Sequence, residues 1–226
     1  MSGRVFPWEV RALFPARRTL SWLAIPLAAA ALVGRARSAD DAAAAADASV
    51  ELTFGILLPL LATAAVIHLT GGSNLRDLGA SAARYGMNRR ARVLTALAAV
   101  TVGLVGVALL LTAVSLPAAR GLSDPRLVAD LLATAPVAVT LGLAYGPWLA
   151  AGACFGSRGG GVLAALLIDW LAGATALPIA LATPRGHARH LLGLEAAFSF
   201  APWLSFLALL GLAGLGALLV VLRTPR

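Results

Sequence analysis

From Val93 to Leu116 the chain runs for 24 residues without one charged side chain. A helix of that length rises about 36 Å, enough to cross a hydrocarbon layer about 30 Å thick. The pattern recurs along the sequence. Six segments, at 19–34, 50–69, 93–116, 127–151, 161–183 and 197–222, are apolar over most of their length. The first is Ala-rich and the shortest. Arg17-Arg18 precedes it, but so does a structured-looking arm, and the run is long for a cleaved leader. It therefore reads as a retained span. The expected fold is all-α, a polytopic membrane protein whose six transmembrane helices form a single transmembrane domain over 1–226.

Composition agrees. Hydrophobic residues make up 60% of the chain and charged residues 12%. Soluble domains carry about 25% charge, so a packed soluble ball of this size is excluded. Disorder is excluded by the same hydrophobicity. The longest polar stretch holds about two dozen residues, short of the roughly 40 needed for an independent core.

All 18 basic residues are arginines and none is lysine. That removes the P-loop, whose lysine reaches the terminal phosphates, and the Schiff-base lysine of pyridoxal enzymes. With both termini cytoplasmic, twelve arginines fall in inside segments and six outside, the sense of the positive-inside rule. The net charge of +8 then belongs at the ends of spans, facing lipid headgroups rather than nucleic acid. Cys154 is the single cysteine, so neither an intrachain disulfide nor a cysteine zinc cluster can form. His68, His187 and His190 lack the H-E-x-x-H spacing of a zinc helix.

The connecting segments carry their own signals. Ser38 to Ser49 is an Ala/Asp stretch, helical or loosely ordered outside. Ser123-Asp124-Pro125 reads as a helix start, with a capping side chain followed by a first-turn proline. Gly156 to Gly161 forms a tight cytoplasmic turn. Pro184 to Ala196 is amphipathic enough to lie at the outer interface or to re-enter the membrane.

Three places stand out as functional candidates. In the arm 1–18, Phe6, Val10, Leu13 and Phe14 share one helical face while Glu9 and Arg11 sit off it, the pattern of an amphipathic interfacial helix. In the loop 71–92, Asn74 followed by Asp77 reads as a helix start. Leu75, Leu78, Ala82 and Tyr85 share a face, Gly86 can end the turn, and Arg76, Arg84, Arg89, Arg90 and Arg92 supply charge. A short capped helix across the mouth is more than topology requires and points to docking. The third is Asp169, beside Trp170 inside the fifth segment. An ionisable group at that depth is costly and is paired or functional, with His68 or a neighbouring Ser or Thr as partner. Small residues at Ala99 and Gly103, at Gly142 and Gly146, and at Gly211, Gly214 and Gly216 mark close helix contacts.

The layout resembles the ABC-2 type permease family, the membrane subunits of many ATP-driven exporters. The resemblance rests on the arm Trp8-Glu9-Val10-Arg11-Ala12-Leu13 with its Arg17-Arg18 entry, and on Leu58-Pro59-Leu60-Leu61 leading to His68-Leu69-Thr70-Gly71. It rests also on Arg84-Tyr85-Gly86-Met87-Asn88-Arg89-Arg90, and on the polar stretch before the last span. It implies two permease copies or paralogues over separate cytoplasmic ATPase subunits in a bacterial-type inner membrane. ATP and Mg would be bound by the partner, with no cofactor on this chain. It implies that Phe6, Glu9, Arg11, Leu75, Arg76, Leu78, Arg84, Arg89 and Arg90 couple the ATPase to the bundle. Two other readings compete. One is an ATP-independent polytopic carrier or assembly factor. The other is an intramembrane serine hydrolase built on Ser199 or Ser205 with His68, although that topology puts the serines and the histidine near opposite faces.

Overall fold

The computed structural model describes residues 25–32, 41–71, 74, 75, 77, 80, 86, 88–156, 159–194 and 199–224. Among them there is helix and no strand. Helix α1 (Ala42–Leu52), a π-helical turn (Thr53–Leu57) and helix α2 (Leu58–Thr70) form one unbroken rod of 29 residues. Helix α3 spans Arg89–Arg120, α4 Leu127–Ala153, α5 Gly160–Gly173, α6 Pro184–Leu191 and α7 Pro202–Arg223. A 3-10 turn at Pro178–Ala182 lies between α5 and α6. Residues 25–32 are helical and lie within the expected first span.

Four elements are long and apolar enough to cross a bilayer: the α1–α2 rod, α3, α4 and α7. The chain is a multi-pass membrane protein on that ground. Its surface has the matching character, because large apolar side chains such as Val102, Leu132, Leu171 and Leu207 are more than half exposed. The interior is packed as tightly as a soluble core. Tyr145, Phe54, Leu111, Leu141, Leu149 and Leu209 are fully buried.

Helix bounds differ from the hydropathy limits in physically sensible ways. The Ala/Asp stretch is helical and continuous with the second span, and it starts where Asp41 accepts the amide of Ala43 at 2.8 Å. Helix α3 has 32 residues, about 48 Å, so both of its arginine-bearing ends project past a hydrocarbon core. Its start is set by Asn88, whose Oδ1 accepts the amides of Arg90 and Ala91. The turn into α4 is organised by Asp124, which accepts the amide of Arg126 at 2.8 Å.

The fifth segment is corrected. Instead of one helix over 161–183, α5 stops at Gly173 after 14 residues, about 21 Å of rise. Pro178 and Pro184 each lack an amide hydrogen and disfavour helix just before them, so the apolar run folds as two helices with an irregular link. In the sixth segment the helix, α7, likewise begins only at Pro202, with residues 199–201 outside it.

Helix contacts follow the small residues in part. A Cβ on Gly142 would lie 2.7 Å from the Val105 backbone, and one on Gly146 2.5 Å from Thr101 Oγ1. Helices α3 and α4 therefore touch backbone to backbone. A Cβ on Gly216 would lie 2.7 Å from the Pro147 carbonyl, which seats α7 on α4. Gly211 and Gly214 face open space.

The end bearing Gly71, Cys154, Gly159 and Arg223 is called the arginine-rich end, since among the described residues Arg89, Arg90, Arg92 and Arg223 lie there with Asp77 the only acid. The other bears Asp41, Asp47, Asp124 and Asp130 and is the acidic end. Replacing Gly142 with Leu should force α3 from α4 and cost about 1–3 kcal/mol, read as a lower thermal transition in detergent. Gly106→Ala, where a Cβ meets nothing within 4 Å, should be neutral or stabilising by up to about 1 kcal/mol. Equal effects at the two sites would refute the close contact.

Candidate functional site

Asp169 lies nine residues into α5, about 14 Å from its start at the arginine-rich end. Tyr145 lies eight residues before the end of α4, about 12 Å from that same end. The two meet: the Tyr145 hydroxyl donates to Asp169 Oδ2 at 3.0 Å. The other carboxylate oxygen accepts the backbone amide of Arg185 at 2.8 Å. Both side chains are completely buried. Asp169 is thus partnered by a tyrosine and a helix amide, not by a Ser or Thr, and not by His68. His68 is exposed in the last turn of α2.

That geometry closes the break in the fifth apolar segment. The first amides of any helix lack intrahelical acceptors. In α6 the first position is Pro184, which has no amide hydrogen. The second amide, of Arg185, goes to Asp169. The third, of Gly186, goes to the Thr183 hydroxyl at 3.2 Å, and that hydroxyl donates onward to the Ala180 carbonyl at 3.0 Å. The fit is tight. A Cβ on Gly173 would lie 2.7 Å from Arg185 Cβ, and one on Gly186 would strike the Ala180 carbonyl. So α6 packs against α4, α5 and α7.

A second polar cluster joins α6 to α7. Ser205 Oγ lies 3.0 Å from His187 Nδ1 and 2.9 Å from His190 Nδ1. His187 Nε2 lies 2.9 Å from the Leu181 carbonyl. A carbonyl only accepts, so Nε2 carries the proton and Nδ1 of His187 is an acceptor. The serine hydroxyl therefore donates to His187 and accepts from His190. Phe200 lies beside both rings, its centroid 4.9 Å from that of His190. The sequence reading weighed Ser205 with the wrong histidine. His68 sits at the arginine-rich end, whereas Ser205 is 18 residues before Arg223, about 27 Å away along the axis. The near histidines stand three residues apart on one short helix, a spacing that could have flagged them. Ser205 is wholly buried with an imidazole on each side, which leaves no approach for an acyl carbon. The cluster clamps two helices.

The coupling candidates are only partly placed. Phe6, Glu9, Arg11, Arg76, Leu78 and Arg84 lie outside the described residues. Leu75 is 1% exposed and packs into the main core, so it anchors the loop and offers no surface to a partner. Asp77 N donates to the Asn74 carbonyl at 2.9 Å, as a helical turn starting there requires. The Asn74 side-chain amide donates to the carbonyls of Gly156 at 3.0 Å and Cys154 at 3.3 Å. Arg89 and Arg90 are half-buried, and Arg90 Nε donates to the Thr224 carbonyl at 3.1 Å. Arg223 stacks over Phe155, 4.7 Å from the ring centroid. At the acidic end, a cavity of about 180 Å³ opens between α1, α3, α4 and the segment after α6, with Asp47, Arg120 and Asp130 among its lining. Arg120 pairs there with Asp130 and with Asp124. Among the described residues no group of three or more metal-ligating side chains occurs.

No family model, curated protein or solved structure matches the chain.

Ser205→Ala removes the hydroxyl shared by the buried His187 and the half-buried His190, at a cost of about 1–3 kcal/mol. The thermal transition of the purified protein should fall accordingly, while Ser205→Thr, which keeps the hydroxyl, should restore most of it. An unchanged transition in Ser205→Ala would remove the clamp.

Proposed function

We propose that this chain is the membrane-spanning permease subunit of an ABC-2-like ATP-driven transporter working as an exporter. In this reading six spans leave both termini in the cytoplasm of a bacterial-type inner membrane. A second permease copy or paralogue pairs with it, and cytoplasmic ATPase subunits bind ATP and Mg below. The arginine-rich end then faces the cytoplasm, as the positive-inside rule asks.

The observation that carries the proposal is the anchoring of the 71–88 loop. A connector needed only for topology would be solvated. Here Leu75 is buried, and Asn74 holds two carbonyls of the turn between α4 and α5. A push on this loop passes directly to the two helices that carry Tyr145 and Asp169. Arg76 and Arg84 are the loop residues assigned to partner contact. The arm with Phe6, Glu9 and Arg11 is the second lever. ATP binding acts through unequal affinity for two bundle conformations, and a chain without lysine leaves that chemistry to its partner.

Affinity purification from the native membrane in mild detergent, followed by an assay of vanadate-sensitive ATP hydrolysis, tests the proposal. A stoichiometric P-loop partner is expected, displaced by Arg76→Glu with Arg84→Glu but retained by a Leu69→Ala control. A chain that purifies alone and supports no ATP hydrolysis in lipid would instead favour the ATP-independent carrier.

A further inference from the structure

Asp169 is the only carboxylate buried among the described residues. It has no guanidinium hydrogen bond; both of its donors, the Tyr145 phenol and the Arg185 amide, are uncharged groups. Arg185 Nε is itself buried without a hydrogen-bond partner. The groups that face Asp169 can be named element by element. Helix α4 brings Tyr145 and α6 brings Arg185, whose guanidinium acts on Asp169 through space. Helix α2 also packs on α5, but its one titratable side chain, His68, is exposed in the last turn. The Pro178–Ala182 turn brings none. A lone carboxylate so enclosed is expensive to keep charged in an apolar bundle.

We propose that Asp169 is a proton-binding site, loaded and unloaded during the working cycle, and that its occupancy sets how firmly α6 is held to α4 and α5. The balance is simple. The carboxylate takes one proton from water and becomes a neutral acid, with no other bond made or broken. As a carboxylate it accepts at both oxygens, which is what the Tyr145 hydroxyl and the Arg185 amide require. As an acid, one oxygen becomes a donor. The phenol must then reverse and accept, and the Arg185 amide bond loses the strength that charge lends it. The first turn of α6 loosens at the point where the span is broken. Through His187 and Ser205 that change reaches the start of α7. The inference requires no ATPase and stands apart from the permease reading.

pH-difference infrared spectra of the full chain in lipid nanodiscs test it. The carbonyl stretch of a protonated acid should grow on acidification, vanish in Asp169→Asn and shift in Asp169→Glu. Tyr145→Phe, which removes one of the two donors to the carboxylate, should move the pH midpoint of that band. Hydrogen exchange supplies a second reading. The protection factor of the Arg185 amide should fall about fivefold in acid and should be low at every pH in Asp169→Asn. If Asp169→Asn does not fold, Asp169→Glu and Tyr145→Phe decide the matter. A band independent of Asp169, one that does not titrate, or one with a midpoint unmoved in Tyr145→Phe would overturn the proposal. So would Arg185 protection that is indifferent to pH. None of these readings involves ATP hydrolysis, so loss of the ATPase partner and loss of the proton site are separate outcomes.

Discussion

A peptide group in hydrocarbon has no water to fall back on, and each one left without a partner costs several kcal/mol, on the order of a whole domain's margin. The bundle meets that constraint where the apolar run after Gly160 is interrupted. Proline removes the first amide of α6, Thr183 takes the third, and Asp169 reaches across from α5 for the second. A neutral acceptor could fill the same position. A carboxylate makes a stronger bond there, because it meets the positive end of the α6 dipole. Once α6 is seated, His187 and His190 lie where the fourth residue of α7 can join them. The satisfied amide thus bears on how the first turn of the last helix is held, while Gly216 seats its far half on α4.

The two ends of the bundle are fastened by different chemistry. At the arginine-rich end the fasteners are side-chain donors on main-chain carbonyls: Asn74 to Cys154 and Gly156, and Arg90 to Thr224. Such bonds resist sliding of one element past another and are little affected by salt. At the acidic end the fastener is the Arg120 ion pair with Asp130 and Asp124 beside an open cavity. Partly exposed ion pairs contribute about 0–1 kcal/mol and weaken with ionic strength.

Long apolar runs were legible because nothing but a membrane explains them. The second, third, fourth and last segments each contain a helix long enough to cross, and the second and third extend back to the caps at Asp41 and Asn88. The break in the fifth was not legible from hydropathy, since Ala174 to Ala182 is as apolar as what precedes it. The signal lay in Pro178 and Pro184, six residues apart, which a hydropathy window averages away. Asp169 announced itself as a charge among leucines. Its partner did not, because Tyr145 is 24 residues away and scores as one more apolar residue. His187 and His190 were passed over for want of a metal spacing, when their use is to share one hydroxyl. In the loop, Asn74 was expected to cap a local helix. That it holds a turn 80 residues further on is a tertiary fact that no local pattern contains.

The π turn at Thr53–Leu57 gives the second span a property its length does not reveal. A π turn holds one residue more than the α-helix it interrupts, and every side chain on the far side is advanced in phase by about 100°. Asp47 faces the cavity while Phe54 and Leu58 face the core on that account. Loss of a single residue between Thr53 and Leu57 would leave a straight apolar helix with unchanged hydropathy and unchanged lower contacts. Its upper half would be rotated away from α3, with Asp47 carried out of the cavity. The angular register of the span is therefore held by one inserted residue, so relatives of this chain should be aligned across that turn with a gap in mind.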